Sequence, residues 1–192
     1  MKIFENIILM KRLLRQGWIR SGVPPSSIES LADHSWSVAL LSFLFCSMEN
    51  QLRSSTENLD VTKAVLIGLL HDLHESEYFD IDKSVRKIVF HEQLEYFQQH
   101  LEEGATRSIL TKVPAAVQDS FHSVMNDRQS EEYHLVRIAD LLDLLIQARE
   151  FNKKHWLDEN QYQGFKKHAL EQLEQYKNQF SFLEEFLHEF TS

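Results

Sequence analysis

Four ionisable residues interrupt apolar, helix-patterned stretches of this 192-residue chain. His34 sits in Ala32-Asp33-His34-Ser35-Trp36, and His71-Asp72 closes the apolar run Ala64 to Leu70. Asp140 falls inside Leu135-Val136-Arg137-Ile138-Ala139-Asp140-Leu141-Leu142. Burying an imidazole or a carboxylate is costly unless the group is paired or bound to a metal. Two nitrogen and two oxygen donors make a set that suits Mn²⁺, Co²⁺, Fe²⁺, Ni²⁺ or Zn²⁺, and Mg²⁺ less well. One divalent cation per chain is therefore expected, held by His34, His71, Asp72 and Asp140. Adjacent helical residues diverge by about 100°, yet His71 and Asp72 can both reach an ion lying beside their turn. Glu75 follows His71 by four residues and so shares its face on a continuous helix. Plainer roles stand beside these. A histidine at a helix start often caps or packs, a carboxylate at a helix end is often solvated, and Asp80 reads equally well as a turn or N-cap residue. Spacing alone leaves both readings open.

These side chains need helices to carry them. Five glycines and three prolines are too few for the turns of an all-β protein. Ile3, Ile7, Met10 and Leu14 fall on one helical stripe, and Val23-Pro24-Pro25-Ser26-Ser27 then breaks the chain. Helices are expected from about Asp33 to Leu52, from Val61 to Ser76, from about Lys83 to Leu110, from Pro114 to near Asn126, and from Glu131 to Lys154. Two more fill Asp158 to Thr191. The fold class is all-α. Residues 1–152 are read as the domain bearing the chemistry and residues 153–192 as a C-terminal helical extension packed on it. The single cysteine, Cys46, lies in an apolar run and reads as a small core residue.

Charge and hydropathy narrow the partners. The formal net charge is -9, with no basic patch of the kind that follows a nucleic acid. A small anion can still bind where a cation offsets the repulsion. Met1 to Trp18 mixes apolar residues with Lys2, Lys11, Arg12 and Arg15, unlike a signal peptide or a bilayer span. No membrane partner and a cytoplasmic location are expected.

The motifs Ala32-Asp33-His34, His71-Asp72-Leu73-His74-Glu75 and Ala139-Asp140 resemble the H…HD…D signature of the HD superfamily. Gly17-Trp18, Glu75, Asp80, Val113-Pro114 and Val136 through Glu150 are similar to its nucleotidase branch, that of the YfbR-like 5′-deoxynucleotidases and HD-domain-containing-2 proteins. The resemblance runs from about Leu13 to Phe151. It implies an HD-domain helical bundle, a divalent metal, a homodimer, and release of phosphate from nucleoside 5′-monophosphates, with deoxynucleotides favoured. It gives Glu75 the role of orienting or deprotonating the attacking water and Asp80 a second acid–base role. Trp18 would stack on a base or sugar, or else pack in the core. Arg15, Arg20 and Lys83 are phosphate candidates by charge. Phe79 stands where the branch usually has Gly, Asp82 near where it often has Pro, and Gly17 where the bacterial type has Arg. These departures bear on substrate choice. Another HD activity on phosphodiesters or triphosphates, or a non-catalytic nucleotide sensor, would keep the same ligands.

Overall fold

The computed structural model describes residues 2–79 and 94–191, and Asp80, Asp82 and Lys83 lie outside the described residues. Ten α-helices are described: α1 Ile3–Met10, α2 Gln16–Arg20, α3 Leu31–Leu52, α4 Val61–Leu70, α5 Glu75–Tyr78, α6 Leu94–Leu110, α7 Gln118–Asn126, α8 Glu131–Lys153, α9 Glu159–Leu173 and α10 Leu183–Thr191. Among the described residues the only β pairing is a single antiparallel bridge between Leu14 and Ser30. The all-α expectation is met. The expected helix from Val61 to Ser76 is broken, because residues 71–74 form turns between α4 and α5.

The chain folds as two compact units. The first comprises residues 1–35 and 70–126. Its core gathers Ile3, Met10, Leu31, Leu73, Ile109 and Val113. The α1 stripe is shifted from the sequence reading. Ile7 is exposed, and Asn6 takes the inward position. The Asn6 amide donates to Ser76 Oγ at 2.7 Å and to Glu77 Oε1 at 2.6 Å, so its burial is compensated. Glu77 also accepts from Ser108 Oγ at 2.8 Å and from Lys112 Nζ. One carboxylate thus ties α1, α5 and the end of α6 together.

The second unit comprises residues 36–69 and 127–192. The α8 helix is its centre, with Leu135, Ile138, Leu142 and Leu145 fully buried. Ser130 caps α8 by accepting from Tyr133 N–H, and an Asp158/Gln161 capping box starts α9, which packs along α8. Residues 153–192 belong to this unit. Phe180, Phe182, Leu183 and Phe190 are buried, Phe45 stacks on Phe182 at 4.8 Å, and Arg149 lies over the Phe190 ring at 4.9 Å. Cys46 is buried, and burial first, then nearby carboxylates, push its thiol up to about 11. By length and composition α3 could cross a bilayer. Its inward side nonetheless carries buried Ser42 and Glu49.

Candidate metal centre and its surroundings

Three stretches of backbone in the first unit position the candidate residues. Residues 13–15 run against 29–31: Arg15 N–H donates to Glu29 O at 3.2 Å, and Leu31 N–H to Leu13 O at 2.8 Å. This pairing holds Arg15 beside the start of α3. Ser30 and Asp33 then cap that helix. Asp33 Oδ2 accepts from Ser30 N–H at 3.0 Å and from Ser30 Oγ at 2.7 Å, while Asp33 N–H donates to Ser30 Oγ at 3.2 Å. The capped turn places His34 on the buried side. The third stretch follows α4. The N–H groups of Leu73, Glu75, Ser76 and Glu77 each donate to the carbonyl three residues back, at 3.0–3.1 Å. These tight turns wind 71–77 differently from a continuous α-helix. Glu75 therefore does not follow His71 at an ordinary helical i,i+4 offset.

His34, His71 and Arg15 converge on one oxygen. His34 Nε2 lies 3.5 Å and His71 Nε2 3.3 Å from Asp72 Oδ2. Arg15 Nη1 donates to the same atom at 2.9 Å. The two imidazole rings stand edge to face, their centroids 5.3 Å apart. Burial on its own would favour the neutral acid at Asp72. His71, Arg15 and His34 outweigh it and hold the carboxyl well below the usual carboxylate range. The arrangement passes a donor-set test for a divalent cation. Donors bound at about 2.1 Å to one ion lie roughly 3.0–3.4 Å from one another; the His71 separation of 3.3 Å falls within that range and the His34 separation of 3.5 Å just beyond it. Two imidazole nitrogens beside a carboxylate also match the preferences of first-row transition ions.

Glu75 is buried at the start of α5, and its N–H donates to Asp72 O at 3.0 Å. One donor atom from each of Asp72, His74 and Glu75 lies within 4.8 Å of the others. Trp18 is buried, and its Nε1–H donates to Glu29 Oε1 at 3.3 Å, which locks α2 to the segment preceding α3. Arg20 ends α2 on the surface. Asp140 belongs to the second unit, on α8, where it accepts from Arg137 Nη1 at 2.7 Å.

Two buried carboxylates of the second unit escaped the sequence reading. Asp143 accepts from Ser37 Oγ at 2.5 Å. Glu49 accepts from Arg53 Nε at 3.0 Å and from the backbone N–H groups of Ser181 and Phe182 at 2.9 and 3.3 Å. Both carry the signal that singled out Asp140, a lone acid in apolar helical sequence.

Comparison with known proteins adds to this geometry. The family model described as 5′-deoxynucleotidase YfbR-like matches residues 3–191. A 5′-deoxynucleotidase of Photorhabdus temperata is 26% identical over 64% of the chain and 61% of its own length. One of Saccharomyces cerevisiae is 27% identical over 79% of the chain and 66% of its own length. The matches thus span somewhat less than two thirds of these relatives. Among solved structures, a Pyrococcus horikoshii protein is 27% identical with a TM-score of 0.73, covering 97% of both chains. An HD-domain phosphohydrolase of Listeria innocua has a TM-score of 0.78 at 20% identity, over 98% of this chain and 85% of its own. That last likeness bears on the fold alone and agrees with an HD-domain bundle.

Proposed function

Because the chain belongs to the YfbR-like 5′-deoxynucleotidase family, we propose that it is a metal-dependent phosphohydrolase releasing phosphate from nucleoside 5′-monophosphates, deoxynucleotides preferred. The observation that carries this reading is the convergence of His34, His71 and Arg15 on Asp72 Oδ2. His34, His71 and Asp72, joined by Asp140, would hold one divalent cation per chain, of the Mn, Co, Fe, Ni or Zn type. The chemistry such a cation supplies when bound is neutralisation of phosphoryl charge and easier deprotonation of water.

The chain's own residues do the rest. Arg15, fixed by its backbone bridge to Glu29, presents a guanidinium beside Asp72 and is the phosphate-binding residue of this proposal. Arg20 and Lys83 are secondary phosphate candidates. Glu75, adjacent to Asp72 and withdrawn from bulk solvent, orients the attacking water and takes its proton. Asp80 donates a proton to the leaving alcohol. Trp18 is buried and bonded to Glu29, which favours the alternative that it packs, holding α2 and the Arg15 segment in place, over stacking on a base or sugar. Residues 1–152 carry the chemistry and 153–192 are a helical extension; the enzyme works in the cytoplasm as a homodimer.

The test is phosphate release, with Mn²⁺ or Co²⁺ added, from ribo- and deoxyribonucleoside monophosphates, triphosphates and cyclic dinucleotides. Deoxynucleoside monophosphates should turn over fastest, by at most roughly 10²-fold over ribonucleotides, since a pocket excludes an added hydroxyl weakly. Cleavage of a phosphodiester or triphosphate with every monophosphate untouched would replace this reading with the other HD activity.

A further inference from the structure

Resting on the phosphatase reading above, we infer that the Phe79 ring is the platform on which the nucleobase stacks, and that it makes this chain favour purine over pyrimidine nucleotides. The residues assigned so far handle the phosphate and the attacking water, and the base still needs a partner. Trp18, the first candidate for stacking, is 2% exposed and bonded to Glu29. The base requires a ring that solvent reaches, close to the residues that handle the phosphate.

Among the described residues, three Phe, Tyr or Trp side chains of the first unit are exposed: Phe4, Phe79 and Tyr96. Phe4 faces away from α5, because Asn6, which bonds Ser76 and Glu77 of that helix, lies roughly 200° round α1 from it. Tyr96 already has the His100 ring beside it, at 3.8 Å between centroids. On α5 itself, Tyr78 tilts against His74 at 5.7 Å and is half-buried. That leaves Phe79. It closes α5, the single turn that opens with Glu75, and its Cα follows that of Glu75 by about 6 Å at 1.5 Å per residue.

The backbone supplies an independent argument. Phe79 has a φ of 68°. This swings its side chain roughly 130° about the N–Cα bond from where a helical φ of about -60° would put it. The ring is thereby turned off the helix and stays 61% exposed. Backbone strain and apolar surface left in water both disfavour phenylalanine here, and glycine would avoid both. Strain of this kind persists where function uses the geometry. A base laid on the ring covers the apolar face that folding leaves in water. A phenyl ring offers π-surface and no hydrogen bond, so it ranks bases by the area they stack rather than by their edges. Purines, with two fused rings, rank above pyrimidines, and adenine and guanine are held alike.

The experiment is steady-state kinetics of the Mn²⁺-loaded full chain and its Phe79→Leu, Phe79→Gly and Phe79→Tyr variants. The substrates are deoxyadenosine and deoxycytidine 5′-monophosphates and the base-free 2-deoxyribose 5-phosphate. KM for the deoxyadenosine substrate should rise at least about 5-fold in the Leu and Gly variants, the loss of one base–aromatic stack. Their kcat should hardly change, because the stack is made alike in ground and transition states. The Tyr variant should keep the wild-type KM, the Leu variant should lose the preference for purine, and none should alter KM for the base-free substrate. Phe79→Gly, which relieves the strain, keeps the test decisive if Phe79→Leu folds poorly. Equal changes on all three substrates would make Phe79 a structural residue and overturn the inference, as would an unchanged KM in both the Leu and Gly variants. Should the wild type hydrolyse no monophosphate, the phosphatase reading fails separately. Calorimetric titration with the deoxyadenosine and base-free compounds then reads the stack directly. Binding of the nucleotide that is tighter and depends on Phe79 supports it, and equal affinities, or an affinity that Phe79→Leu leaves unchanged, overturn it.

Discussion

Glu75 and Phe79 show how single residues divide between chemistry and backbone. Glu75 is buried next to the Asp72 backbone and is left out of the proposed ligand set. Glu75→Ala should keep its metal and lose about 10²–10⁴ in turnover. Elemental analysis beside a phosphate-release assay checks this, and near-normal turnover would demote Glu75 to a structural acid. Phe79 has φ 68° and ψ 159°. That region is essentially reserved for glycine and costs other residues about 1–3 kcal/mol. Here lies the physical reason for the Gly that the resembling branch carries at this place. Phe79 is also 61% exposed, so little burial offsets the strain. Allowing for the greater freedom of glycine in the unfolded chain, Phe79→Gly should gain about 1 kcal/mol, or roughly 2–4 °C in Tm by calorimetry. An unchanged or lower Tm would contradict the strain argument. What the sequence could reveal about the site follows the same division. Asp72 and its two histidines were recognisable because polar groups in apolar helices are rare and the motif is specific. Glu49 and Asp143 carry the same signal, yet Glu49 accepts from Arg53 and Asp143 from Ser37: a lone acid in an apolar helix does not disclose whether a hydroxyl, an arginine or a cation will face it.

Helix ends position the site. Long helices such as α3 and α8 could be read from apolar periodicity and from the Ser130 cap. The short α2 and the break at residues 71–74 could not. Both depend on tertiary partners, the Leu13–Leu31 pairing and the Leu73 side chain in the first core. Close helix approach is equally invisible to periodicity. Gly68 reads as a helix-weakening residue, yet it admits the Ala39 backbone. Gly68→Ala gains helix propensity of about 1 kcal/mol but forces two backbones apart. It should cost about 1–2 kcal/mol net by denaturant unfolding, and a stabilised variant would refute the contact. Glu77 joins three helices in the first unit. Burial raises its pKa, but hydrogen bonds from Lys112, Asn6 and Ser108 win and set it below 4.5. Its contribution to stability is therefore complete above about pH 4.5 and is lost as the pH falls through the lower folded value. Glu77→Gln should make unfolding free energy less steep in pH below 4.5, at a cost of about 1 kcal/mol at neutral pH for this partly exposed group. Parallel profiles for variant and wild type would exclude that role.

For the molecule as a whole, the account joins a helical fold shared with HD-domain phosphohydrolases to one proposed cation on four side chains. Asp72 is the most exacting test, because both imidazoles and Arg15 address its Oδ2. If it is a ligand, its loss removes an anionic donor and leaves the positive Arg15 guanidinium against the cation. If it is only the structural partner of Arg15, its loss leaves the metal in place. The deciding measurement is metal content per chain, by elemental analysis of folded wild-type and Asp72→Asn protein purified alike and reloaded with Mn²⁺ or Co²⁺. The account predicts about one equivalent in the wild type and a loss of most of it in the variant. Equal occupancy in the two proteins would contradict it.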